Sequence, residues 1–106
     1  MVVQIAPSQA AELLAARHDA TLLDVREPWE VALVSVPGAV HVPMRELSDR
    51  FEDLPKHSAV VVLCHHGVRS NAVAHALLRA GCREVYNVRG GIDAWANEVD
   101  RTLATY

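Results

Sequence analysis

The chain has 106 residues, 51% of them hydrophobic and 22% charged, with ten Lys and Arg against thirteen Asp and Glu for a formal net charge of −3. That length suits one domain spanning 1–106 with a contiguous core that needs no disulfide or metal staple, and the composition excludes a disordered chain. The acidic balance, with no run of Lys or Arg, argues against nucleic acid or an anionic membrane surface as the main partner.

In chain order, "VVQI" (2–5) reads as a strand, and Ser8 as the N-cap of a helix over "QAAELLAARH" that sets Ala10, Leu13, Leu14 and Arg17 on one face. "TLLDV" (21–25) is a second strand, and "PWEVAL" a short helix opened by Pro28. The Pro-Gly turn in "VPGA" leads into a third strand, "AVHVP" (39–43). Met44, Leu47, Phe51 and Leu54 recur at helical spacing through "MRELSDRFEDL", which Pro55 ends. "AVVVLC" (59–64) is an unbroken apolar run, as in a central parallel strand buried on both faces. The helix from Ser70 to Ala80 turns Ala72, Val73, Ala76, Leu77 and Ala80 inward and Asn71, His75 and Arg79 outward, with Gly81 as its left-handed terminus. "EVYNV" (84–88) is a fifth strand, and Gly90–Gly91 open a last helix, "IDAWANEV". Strands alternating with helical segments give an α/β class with a mainly parallel sheet.

The longest apolar run falls far short of a membrane span, and the N-terminus lacks a basic stretch followed by a long apolar one. The two cysteines, Cys64 and Cys82, form neither a CxxC pair nor a disulfide framework. A reducing, cytoplasmic setting is therefore expected, and it leaves a thiol free to react.

Chemistry concentrates in "CHHGVRS", residues 64–70. Cys64 ends the central strand, at the carboxyl edge where open parallel sheets bind ligands. The loop runs straight into a helix whose first N–H groups lack internal partners, and Gly67 gives it the freedom to turn those groups inward as an anion nest. Arg69 adds a fixed positive charge. Such surroundings favour a thiolate, which is the nucleophilic form. His65 and His66 add partial positive charge at the pocket mouth. Adjacent residues seldom hold one tetrahedral ion together, and no second Cys/His cluster has ligand spacing, so no metal is expected. Cys82, Trp29 and Trp95 read as packing residues, with the tryptophans in the core or at its rim. His18, His57 and His75 read as surface residues. Asp24, at the same sheet edge, either starts an Asx turn or accepts from Arg26 or Arg69.

"CHHGVR" resembles the active-site loop of the rhodanese family of sulfurtransferases, often written C-x-x-G-x-R. Upstream, "LLDVREPWE" and "VPGAVHVP" resemble the family's strand, acidic turn and continuation, and "VYNVRGGIDAW" its closing strand and Gly-Gly turn. One departure is Val34–Ser35–Val36, where the family often has Gly-His-Ile. The resemblance implies a three-layer α/β domain with about five mainly parallel strands and helices on both faces. It also implies a ping-pong reaction without a cofactor. Cys64 takes the outer sulfur of a donor such as thiosulfate, sulfite leaves, and the Cys64 persulfide passes to cyanide in an assay or to a thiol such as thioredoxin or glutathione. The N–H groups of His65, His66, Gly67, Val68 and Arg69 would cradle the persulfide, Ser70 would complete the substrate-binding residues at the start of the helix, and Arg69 would attract the dianionic donor.

Three other readings bear on the same residues. A cysteine phosphatase or arsenate reductase uses C-x5-R around a tetrahedral oxyanion, whereas four residues separate Cys64 from Arg69, a ring suited to one sulfur atom. A non-catalytic module of the same fold typically lacks the cysteine. A persulfide carrier for a dedicated sulfur relay is the same chemistry with a different acceptor.

Overall fold

The computed structural model describes residues 1–106. Five strands, β1 (Val2–Ile5), β2 (Thr21–Asp24), β3 (Val40–His41), β4 (Ala59–Leu63) and β5 (Glu84–Val88), form one sheet in the order β1-β5-β4-β2-β3, with every pair parallel. The α/β architecture expected from the sequence is present, with β4 at the centre. Its five residues are all buried. The pleat sends Val60 and Val62, with Cys64 beyond the strand end, to one face, and Val61 and Leu63 to the other.

Each face carries its own core, so the sheet divides what the sequence suggested as one contiguous core into two. On the first, Leu23, Val25, Val60, Val62 and Val85 pack against Val73, Ala74 and Leu77 of α4 (Val68–Arg79) and against Leu54. On the second, Leu22, Val61, Leu63 and Val88 meet Ala10 of α1 (Pro7–Ala16) and Ile92 and Trp95 of α5 (Gly91–Glu98). Each fully buried aliphatic side chain contributes roughly 1.5–3 kcal/mol. A short helix, α2 (Pro28–Leu33), follows β2.

Several local expectations change. The N-cap of α1 is Ala6, with Pro7 in the first position and Ser8 already inside the helix; the Gln9 side-chain oxygen accepts the Ala6 N–H at 2.8 Å. The third strand shrinks to two residues. Residues 44–54 do not make one helix. They break into 3-10 turns at Met44–Glu46 and Phe51–Asp53 around a single α-turn, α3 (Leu47–Arg50). The apolar pairs Met44/Leu47 and Phe51/Leu54 are three residues apart, the spacing that a 3-10 turn aligns.

The buried stripe of α4 is also rotated. The helix begins at Val68, two residues earlier than expected, and Ser70 turns inward with Val73, Ala74 and Leu77, an i, i+3, i+4, i+7 set. Ala72, Ala76 and Ala80 are exposed instead, and with Met44, Leu47 and Phe51 they line an apolar groove of about 500 Å³. Gly81, at φ +113°, ends the helix as expected, and the Cys82 N–H returns to the Leu77 carbonyl at 3.0 Å. Trp95 is buried, but Trp29 is 62% exposed and belongs to the rim. No helix is long and apolar enough to cross a membrane.

Candidate active site

Cys64 follows the last residue of β4, at the carboxyl edge of the sheet, and only 1% of it is exposed. Residues 65–67 loop around its side chain before α4 begins. Gly67, at φ +96°, is the helix N-cap and donates its backbone N–H to Cys64 Sγ at 3.1 Å. A Cβ at this position would stand 3.1 Å from the Gly90 nitrogen and 3.2 Å from the Val88 carbonyl oxygen, so the left-handed turn and the close fit both call for glycine.

From below, the thiol donates to Ser70 Oγ at 3.2 Å, and Ser70 donates to Asn87 Oδ1 at 2.5 Å. Asn87 Nδ2 donates in turn to Gln4 Oε1 at 2.7 Å and to the Gly67 carbonyl at 3.3 Å. This chain of hydrogen bonds fixes the Cys64 sulfur from β5 and β1, and it places Ser70 in direct contact with it.

The Gly90–Gly91 turn is pressed onto the back of the same loop. The Ile92 N–H donates to the Cys64 carbonyl at 2.8 Å and the Asp93 N–H to the His65 carbonyl at 3.2 Å. Gly91 has φ +60°, and any Cβ there would collide with both carbonyl oxygens. These glycines therefore do more than open the last helix: they let the turn approach the Cys64 loop closely.

Arg69 does not face the sulfur as a free cation. Its Nη1 and Nη2 donate to Glu30 Oε1 and Oε2 at 2.7 and 2.9 Å. Glu30, near the start of α2, also accepts the Glu27 N–H at 3.0 Å and the Tyr106 hydroxyl at 2.7 Å. The Arg69 guanidinium and the Tyr106 hydroxyl hold the Glu30 carboxyl down to about 2 in spite of its burial, and the carboxylate raises Arg69 in return. Burial, with the Glu30 carboxylate beside it, pushes the Tyr106 hydroxyl up to about 12 although Arg26 opposes this.

A second ion pair lies beneath. Asp24 accepts both the Arg26 backbone N–H at 3.0 Å and its guanidinium, Nη2 at 2.7 Å, so the Asx turn and the ion pair coexist and Arg69 is not its partner. Burial works against the Arg26 charge, but Asp24 and Tyr106 outweigh it and raise the group. Arg26 also donates to the Val34 carbonyl at 2.8 Å, inside the segment that departs from the family's Gly-His-Ile, while Val36 packs into the core.

His65 and His66 stack with ring centroids 3.8 Å apart, and His65 stacks on Tyr106 at 3.9 Å. His65 Nε2 donates to the Tyr106 carbonyl at 2.9 Å. Val68 is 78% exposed and offers the site its backbone alone. Asp93 brings a carboxylate beside both histidines, which supplies the third ligating group that the sequence did not reveal. Cys82 is buried 18 residues further on, its thiol pushed up by burial, as suits a packing residue. Glu30, Tyr106, Asn87 and Asp93 were missed because their partners lie 39, 76, 17 and 28 residues away. Only the acidic turn "EPWE" gave a local signal, for Glu30.

Comparison with known proteins identifies the family and the fold. The rhodanese-like domain family matches residues 6–98. A protein named sulfurtransferase from Allochromatium vinosum is 38% identical over 96 residues, covering 91% of this chain and 90% of that protein. The thiosulfate sulfurtransferase GlpE of Coxiella burnetii is 35% identical over 95 residues, covering 90% and 88%. The crystal structure of a rhodanese-related protein from Thermoplasma volcanium superposes with a TM-score of 0.81 at 32% identity, covering 92% of this chain and 93% of that one. With its parallel sheet and with its sequence matched over nearly its whole length, the chain belongs to the rhodanese-like domain family, whose sulfurtransferases it resembles.

Proposed function

We propose that the protein is a sulfurtransferase that carries a sulfane sulfur on Cys64, with thiosulfate or a similar compound as donor. The observation that carries this reading is the buried Cys64 Sγ receiving the Gly67 N–H at 3.1 Å, inside a loop whose remaining N–H groups open at a helix N-terminus. The Cys64 thiolate attacks the outer sulfur of thiosulfate. The sulfur–sulfur bond of the donor breaks, sulfite departs with the electron pair, and a Cys64 persulfide remains. In the second half-reaction an acceptor nucleophile attacks the outer persulfide sulfur and Cys64 leaves as thiolate. Cyanide gives thiocyanate; a cellular thiol such as thioredoxin or glutathione, in a reducing compartment such as the cytoplasm, becomes the new persulfide.

Donors fixed in place before reaction stabilise the terminal anionic sulfur without reorganisation, and the amides of residues 65–69 are the groups proposed for this. Arg69 enters as a positioning residue. Its ion pair with Glu30 ties the start of α4 to α2, and the pair presents the donor with no net charge. The relative named thiosulfate sulfurtransferase supports the choice of donor. Steady-state thiosulfate:cyanide assays test the reading. Parallel double-reciprocal lines are expected, with activity abolished in Cys64→Ser and largely kept in Cys82→Ser. A Cys82→Ser variant as inactive as Cys64→Ser would replace this scheme with a two-cysteine relay.

A further inference from the structure

The loop that holds Cys64 carries a second constellation, on its outer side, that sulfur transfer does not use. A ligating atom of each of His65, His66 and Asp93 lies within 4.8 Å of the other two. His65 and Asp93 are held in register by the backbone bond from the Asp93 N–H to the His65 carbonyl, so the two side chains do not drift apart as those of two independent loops would.

The His65 ring is prepared as a ligand. Its Nε2–H is donated to the Tyr106 carbonyl at 2.9 Å, which fixes the tautomer and leaves the lone pair on Nδ1. Metal-bound histidines almost always spend their second nitrogen on such an outer partner. The ring is also held flat against the Tyr106 face, 3.9 Å between centroids. Neither the Asp93 carboxylate nor the His66 ring makes a hydrogen bond or an ion pair within the chain, whereas His65, His41 and His75 all do. Two ligands are thus free and the third is oriented.

We propose that His65, His66 and Asp93 form a site for one borderline divalent transition-metal ion of the Zn²⁺ type, bound by two imidazoles and one carboxylate with its outer positions open to solvent. Imidazole together with carboxylate favours Zn²⁺, Ni²⁺ or Cu²⁺ over Mg²⁺ or Ca²⁺, which take oxygen ligands. Zinc bonds of about 2.0–2.1 Å set neighbouring ligand atoms about 3.3–3.5 Å apart, so the widest pair closes by roughly 1.5 Å. The exposed His66 ring can supply that movement by rotating about its own side-chain bonds. Adjacency, which argued against a metal in the sequence, matters less here because the stack turns both rings to one side and α5 contributes the third ligand.

The site does not depend on the sulfur-transfer reading, and its test removes the catalytic thiol. Zn²⁺ is titrated calorimetrically into the full chain carrying Cys64→Ser, in a buffer that does not chelate zinc. One ion per chain is expected, with affinity reduced at least tenfold when Asp93→Asn or His66→Ala is added and unchanged by His75→Ala. Circular dichroism of each variant checks the fold, and Asp93→Asn keeps the shape of the side chain. Loss of the one-site titration in Asp93→Asn, with the fold intact, supports the site. Zinc affinity in the Asp93→Asn and His66→Ala variants unchanged from that of Cys64→Ser alone, or no saturable binding to Cys64→Ser at submillimolar zinc, overturns it.

Discussion

Arg69, five residues beyond Cys64, grips both carboxylate oxygens of Glu30, at 2.7 and 2.9 Å, so its charge is already paired within the chain. The Glu30 side chain is 3% exposed and the Arg69 side chain 36%. Removing the arginine alone therefore strands a buried carboxylate beside the site, whereas removing both charges does not. Arg69→Gln is expected to lower kcat/KM for thiosulfate about tenfold to a hundredfold, equivalent to roughly 1.5–3 kcal/mol. The double variant Glu30→Gln/Arg69→Gln should recover part of that loss. A double variant no better than Arg69→Gln would mean that Arg69 touches the donor directly.

The same pair sets an acid limit. Glu30 titrates near 2 when folded against an ordinary value of 4.5, so its contribution to stability is complete above about pH 4.5 and is lost as the pH falls toward 2. Thermal unfolding of the native chain and of Glu30→Gln should differ most between pH 5 and 7 and converge on acidification. A gap that stays constant down to pH 2.5 would contradict the ion pair.

Gly91 is the point where the closing turn touches the Cys64 loop. Gly91→Ala places a methyl group against the Cys64 and His65 carbonyls at φ +60°, and a loss of about 2–4 kcal/mol is expected. Because the collision is with the loop itself, activity of the folded fraction should fall as well. Gly38→Ala, a positive-φ glycine with open space around it, should cost stability by strain alone and leave kcat/KM intact. Chemical unfolding and kinetics on both variants separate the two effects.

What the sequence revealed, and what it hid, follows from the range of the interactions. β4 was legible because a short unbroken apolar run rich in β-branched valine suits a strand buried on both faces, and Cys64 because Gly67 and Arg69 lie within five residues of it. The face of α4 was misjudged because the start of the helix depends on Ser70 meeting Cys64 and Asn87, a tertiary contact with no periodic signature. Likewise, the charge of Arg69 was visible but its partner was not. Glu30 lies 39 residues upstream, and the acidic turn that carries it marks a helix start without showing which cation it meets.

On the proposed sulfurtransferase reading, loop length should set this site apart from oxyanion chemistry. Inserting one glycine between Gly67 and Val68 turns the spacing from Cys64 to Arg69 into C-x5-R and should widen the ring of N–H donors. The native chain is expected to show no turnover of aryl phosphates while it transfers sulfur from thiosulfate. The insertion should lower sulfur transfer and permit weak binding of phosphate or arsenate, measured as protection of Cys64 from alkylation. Phosphatase turnover by the native chain, absent in Cys64→Ser, would overturn the sulfurtransferase assignment.

The central claim is that sulfur resides covalently on Cys64 between the two half-reactions, and intact mass measured after incubation with thiosulfate tests it most directly. The native chain and Cys82→Ser should each gain the mass of one sulfur atom, Cys64→Ser should gain none, and added cyanide or a thiol should restore the starting mass. No added sulfur on the native chain under conditions that support turnover, or the same added mass on Cys64→Ser, would contradict the account.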